Sequence, residues 1–137
     1  MQINKYPNFW NYYIKNISPR LEQIDILLKT QSCNISKKTV SILLDISEYD
    51  VETIMFNKNI KYITSENFFS IMLSGKSYIC NILKKEFKKS PKKKYTAEDI
   101  SYIYNIDYNK IKNAFNFLNI KTIPSDSIKA IFIQIPL

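Results

Sequence analysis

The sequence predicts a mainly α fold: two tandem helix-turn-helix units with at most short extended segments, preceded by an N-terminal helical pair. Three observations predict it. Apolar residues recur at spacings of three and four along most of the chain, the period of an amphipathic helix. The stretches 36–71 and 96–131 align sixty positions apart without a gap: Val40 with Ile100, Leu43 with Ile103, Ile46 with Ile106, Val51 with Ile111, Met55 with Phe115, Ile60 with Ile120, Ile63 with Ile123 and Ile71 with Ile131. Ser41, Asn59, Lys61 and Ser65 recur as Ser101, Asn119, Lys121 and Ser125, so the phase is an internal duplication, and two copies are too few for an open solenoid. Glycine occurs once, at Gly75, which argues against a barrel or sandwich that needs many glycine turns.

At the N-terminus, Tyr6, Phe9, Trp10, Tyr13, Ile14 and Ile17 lie mostly on one helical face over residues 5–17, with Pro7 suited to the first turn. The stripe is read as core, the alternative being a partner or dimer surface. Pro19 opens a packing helix over 19–30, with Leu21, Ile24, Leu27 and Leu28 inward. The first copy starts at the N-cap Ser36 and points Val40, Leu43 and Leu44 inward. Its turn is Asp45-Ile46-Ser47, with Ser47 capping a helix over 48–56 that buries Val51, Ile54 and Met55. An extended run follows, with Ile60 and Tyr62 opposite Lys61 and Ile63. Ser65 then caps a helix holding Phe68, Phe69, Ile71 and Met72.

Gly75 ends that helix as a C′ residue. The next helix, 76–89, turns Ile79, Ile82, Leu83 and Phe87 inward and becomes basic at its end. Between Lys84 and Lys94 there are seven lysines (Lys84, Lys85, Lys88, Lys89, Lys92, Lys93 and Lys94) against Glu86, so +6 of the net +8 lies in this tract. With Pro91 it is the expected hinge between copies and a candidate grip on phosphates. The second copy opens with a capping box from Thr96 to Asp99, buries Ile100, Ile103 and Tyr104, and turns at Asn105-Ile106-Asp107. The helix over 108–118 buries Ile111, Phe115 and Leu118 and shows Asn109, Lys112, Asn113 and Asn116 outward, with Lys110 at the side. Pro124-Ser125 restarts a helix, and Phe132, Ile133 and Ile135 form a docked tail. The expected divisions are 1–34, 35–90 and 91–137.

The chemistry is narrowed by what the sequence lacks. With no histidine, and with Cys33 and Cys80 far apart, the usual zinc sets and His-based triads are excluded; both thiols are expected buried and free. No run approaches 18 apolar residues, and the start lacks the order of a signal peptide, so a cytoplasmic protein without membrane contact, cofactor or enzymatic activity is expected. A net charge of +8 with pI near 9.4 points to an acidic partner, nucleic acid first.

The pattern of residues 96–131, helix, Asn105-Ile106-Asp107 turn, helix, Leu118-Asn119-Ile120-Lys121-Thr122-Ile123-Pro124 and a further helix, is similar to the DNA-binding heads of the MerR-like and phage excisionase families. The resemblance covers each repeat, about half the chain in all, and rests on apolar spacing. It implies operator binding or control of recombination direction, with the second helix of the unit in the major groove. Those families carry a basic hairpin wing before the last helix; here Ile63-Thr64-Ser65 and Ile123-Pro124-Ser125 pass directly into helix. The copies also differ. Glu48, Asp50 and Glu52 in 48–56 would repel phosphates, whereas Tyr108, Asn109, Lys110, Lys112, Asn113 and Asn116 carry no carboxylate. Asparagine can bond adenine at two edges, and lysine reaches guanine or phosphate. The expected partner is double-stranded DNA, at the second copy and the lysine tract, in a nucleoid-associated setting. Helix 48–56 or the aromatic stripe would take a protein partner, or a second copy in a homodimer.

Overall fold

The computed structural model describes residues 7–31, 33–89 and 94–136, without the side chains of 87–89. The fold is mainly helical: α1 Phe9–Tyr12, a π-helical turn Tyr13–Ile17, α2 Ser18–Thr30, α3 Lys37–Leu44, α4 Glu48–Asn57, α5 Ser65–Ser74, α6 Tyr78–Lys89, α7 Ala97–Tyr104, α8 Tyr108–Leu118 and α9 Lys129–Phe132. A two-stranded antiparallel sheet joins β1, Lys94–Tyr95, to β2, Ile123–Pro124. The chain divides into two compact units, Ser18–Phe87 and the residues up to Ile17 with those from Lys88 onward. The segment 1–34 is therefore no unit of its own: α1 and the π turn belong with the second repeat, α2 with the first.

The duplication is present in the backbone as well as in the apolar phase. Asp45 and Asn105 both end their helix with left-handed φ, 55° and 52°, and the next amide reaches back to Ser41 or Ser101 at 3.1 and 3.3 Å, the six-to-one closure of a Schellman turn. Asn59 and Asn119 repeat the device after α4 and α8, at φ 58° and 54°. Asparagine and aspartate tolerate this region better than other side-chain-bearing residues, so a chain with one glycine closes its helices with them. The pairing of Ile35 with Ile63 in the first repeat recurs as Tyr95 with Ile123 in the second.

These bridges set the face of the extended run. Ile63 and Ile123 are buried while Tyr62 is 69% exposed, the reverse of the alternation expected from Ile60 and Tyr62. Pairing with a partner strand fixes the face at Ile63 and Ile123 alone; Ile60, half-buried, and Lys61, exposed, keep the sides expected of them. Helix starts follow the capping chemistry: Ser36, Ser47, Thr96 and Asp107 each accept an amide of the first turn. For α5 the cap is Thr64 and not Ser65, which is the first helical residue. At α7 both halves of the capping box form: Asp99 N–H donates to Thr96 Oγ1 at 3.2 Å, and Thr96 N–H to Asp99 Oδ2 at 2.9 Å. Replacing Thr96 by Ala is expected to cost about 1 kcal/mol, read as a lower urea midpoint at unchanged slope.

In the unit of the first repeat, Val40, Leu44, Val51, Phe68, Ile71, Met72, Ile82 and Leu83 are almost wholly buried, with Ile24 of α2 added to them. Cys80 is buried beside them, and burial pushes its thiol pKa up; Cys33, expected buried, is exposed. Ile54, also expected in the core, is half-buried, and Ile46 and Ile54 floor a cleft of about 360 Å³ rimmed by Thr53, Asn57, Lys58 and Lys76.

In the unit of the second repeat the core is aromatic. Phe132 lies edge-on to Phe9 and Tyr104, centroids 4.7 and 5.2 Å away, and 5.1 Å from Tyr13. The N-terminal stripe differs from its expected phase. Asn8 caps α1, so Pro7 stands before the helix rather than in its first turn. The π turn then adds a residue, so Tyr12 and Ile17, five apart, are buried while Ile14 is exposed. A proline inside a helix clashes with the carbonyl four residues back, and for Pro19 that carbonyl is Lys15's, within the π turn. Tyr6 lies outside the described residues. The tail is docked: Phe9 N–H donates to the Ile135 carbonyl at 2.9 Å, and Phe132 and Ile135 are wholly buried, although Ile133 is 40% exposed.

Candidate nucleic-acid interface

Helix α8 is held by Ile111, Ala114 and Phe115 on its buried side, and α7 packs against it across the three-residue turn. Leu118, expected inward, is only half-buried, and Ala114 takes the inner place the spacing did not assign. With that side fixed, Asn109, Lys112, Asn113 and Asn116 fall at i, i+3, i+4 and i+7, and all four are exposed. The amide and ammonium groups thus share one open stripe.

The N-terminal end of the stripe is less positive than its own sequence implies. Tyr108 is half-buried and donates its hydroxyl to Glu98 Oε1 of α7 at 3.0 Å. That bond raises the tyrosine pKa. Hydrogen bonds from its own backbone, then from Tyr108 and Thr96, hold the Glu98 carboxyl below the usual carboxylate range, with a smaller contribution from Lys112. Asp107, the N-cap, adds a second carboxylate by accepting from Asn109 N–H at 3.0 Å. Tyr108 is therefore a brace between α7 and α8. The carboxylate-free surface starts beyond Lys112, at Asn113, and runs toward Asn116.

The lysines separate into different settings. Lys110 is exposed, its ammonium 3.5 Å from the Pro136 carbonyl. Lys94 is exposed on β1, opposite Pro124. Lys84 is half-buried, and its ammonium donates to the Gly75 carbonyl at 2.7 Å. It closes the end of α5, where a cation suits the carbonyl end of the helix. Lys85 is half-buried and has an interaction of its own. Lys88 and Lys89 end α6, with side chains outside the description, and Lys92 and Lys93 lie outside the described residues. The tract spans the junction between the two units.

The equivalent helix of the first repeat has the opposite character. Tyr49 and Phe56 on α4 are 75% and 85% exposed, beside Glu48, Asp50 and Glu52. Sequence reasoning named this helix as a protein-facing element from its charge but did not single out the two rings. Their phase opposite Val51 and Met55 was the signal that could have found them. Among the described residues, no group of three or more Cys, Asp or Glu is placed to hold a metal ion, and no helix is long and apolar enough to cross a membrane. Compared with protein-family models, curated proteins and solved structures, the chain matches none.

Proposed function

We propose that the chain is a small DNA-binding regulatory protein, a transcription regulator or an excisionase-like recombination factor, that reads DNA with α8. The observation that carries this reading is the open stripe Asn109, Lys112, Asn113 and Asn116 on α8, the helix that follows α7 after a three-residue turn. Base contacts fall to Lys112, Asn113 and Asn116, since Glu98 and Asp107 crowd the start of the helix with negative charge. Phosphate contacts fall to Lys94 and Lys110, both exposed, and to the rest of the lysine tract after Lys84, which serves its own unit.

Fluorescence anisotropy with an AT-rich duplex at increasing salt tests it. Affinity is expected to fall with a log–log slope of about 0.9 per phosphate contacted. Lys112→Ala with Asn113→Ala should flatten the preference among duplex sequences, and Lys94→Ala should weaken all duplexes alike and lower the slope by about 1. Absence of binding at low salt overturns the reading. A second reading, a protein-interaction module on a degenerate tandem, is favoured by the exposed rings and carboxylates of α4. A single stoichiometric partner retained at high salt, with no duplex binding, would support that reading instead.

A further inference from the structure

Helices α4 and α8 hold equivalent places in the two repeats, and each leaves a stripe at i, i+3, i+4 and i+7 in water. On α4 it is Tyr49, Glu52, Thr53 and Phe56; on α8 it is Asn109, Lys112, Asn113 and Asn116. The charges are inverted. Helix α4 has three carboxylates and no lysine, and α8 has two lysines and no carboxylate. Two of the inversions fall on equivalent positions, Asp50 with Lys110 and Glu52 with Lys112.

Two large rings on one face, seven residues apart, make a patch rather than scattered exposure. The second repeat shows that the fold does not require them, because Asn109 and Asn116 stand where Tyr49 and Phe56 do. Aromatic anchors beside complementary charge are the composition of a binding surface. A symmetric contact of α4 with another α4 would face three carboxylates with three more, which is repulsive. On α8, Lys112 offers an ammonium to a carboxylate or to a ring face, and Phe117 at the edge of the stripe is 75% exposed.

We infer that the α4 stripe docks on the α8 stripe of a second copy of this chain, with Glu52, which exchanges an exposed 3.5 Å ion pair with Lys37 of its own chain for this contact, against Lys112 and the Tyr49 and Phe56 rings against Asn113, Asn116 and Phe117. The two surfaces differ, so the contact is heterologous: two such contacts close a dimer, and otherwise copies add in a row. The inference does not depend on DNA binding, but it places a second copy on the face assigned above to DNA, so duplex and self-association compete.

Sedimentation velocity on the full chain, from micromolar to millimolar concentration, tests this. Association at low salt that weakens at high salt is expected. Glu52→Lys or Lys112→Glu alone should weaken it about tenfold or more, and the two together should restore it. Tyr49→Ser with Phe56→Ser should remove it; these side chains are exposed, so circular dichroism should stay unchanged. A chain monomeric throughout at low salt overturns the inference, as does association indifferent to both charge reversals or a double reversal that does not recover. A monomer that still binds duplex leaves the DNA reading standing. Association as described without duplex binding sinks the DNA reading and not this one.

Discussion

Phe132→Ala is expected to destabilise the unit of the second repeat by about 3–5 kcal/mol, the cost of removing a wholly buried phenyl ring that its neighbours cannot replace. The ring sits among Phe9, Tyr13 and Tyr104, and each centroid lies within 5.2 Å of it. These neighbours come from the N-terminal helix and from α7, so the lost ring leaves a cavity where three segments meet. A loss of this size is a large part of a stability of about 5–15 kcal/mol. Trp10, the chain's one tryptophan, stacks on Tyr13 with centroids 5.7 Å apart, and Lys129 lies 5.3 Å above its ring. Its fluorescence during urea unfolding therefore reports this unit. Ile133→Ala, at a neighbouring 40% exposed position, serves as the control and should cost much less. A Phe132→Ala loss below about 1 kcal/mol would contradict the docking of the C-terminal tail, being no more than the average substitution.

Gly75→Ala is expected to destabilise the other unit by about 1–3 kcal/mol through overpacking. At φ −69° and ψ 153° the backbone suits any residue, so by conformational entropy alone alanine would stabilise by about 0.4–1 kcal/mol. The contact decides the sign. A Cβ at this position would run into Cys80 Sγ and stand 3.3 Å from Cys80 Cβ. Cys80 cannot easily yield, because it is buried, its thiol points at the Leu44 carbonyl at 3.6 Å, and Ser77 Oγ binds both that carbonyl and the Cys80 amide. Cys80→Ala should relieve the clash, so Gly75→Ala should cost measurably less in that background, a coupling of about 1 kcal/mol between touching residues. Equal costs in both backgrounds would show that the glycine is there for another reason.

That glycine illustrates how far the sequence could be read. Its place at the end of α5 was legible, but the reason was not: it leaves room for a sulfur rather than adopting the left-handed C′ conformation. The true left-handed ends are Asp45, Asn59, Asn105 and Asn119, of which the sequence shows the recurrence of Asn59 as Asn119 but not the backbone conformation. The outward stripe on α8 follows from its spacing against Ile111 and Phe115, which leaves one face free. The grouping of Lys84 with the phosphate-gripping lysines did not foresee its bond to Gly75, since charge count says nothing about which carbonyl lies within reach. Nor could Tyr108 be told from its neighbours until α7 placed Glu98 beside it.

The sequence by itself determined the mainly helical fold, the duplication, most of the buried positions and all but one of the N-caps predicted from it. Apart from the duplication, which shows as matching residues sixty positions apart, those features depend on residues within about one helical turn of each other, where period and hydrogen-bonding valence act directly. Only the tertiary structure decided that Ile63 and Ile123 face inward, that the N-terminal helices divide between the two units, and that a π turn brings Tyr12 into the core. Each of these is set by partners distant in sequence, Ile35 and Tyr95 for the strands and the Phe9, Tyr104 and Phe132 cluster for the helix. Burial against a distant partner outweighs a local preference worth a fraction of a kcal/mol per residue.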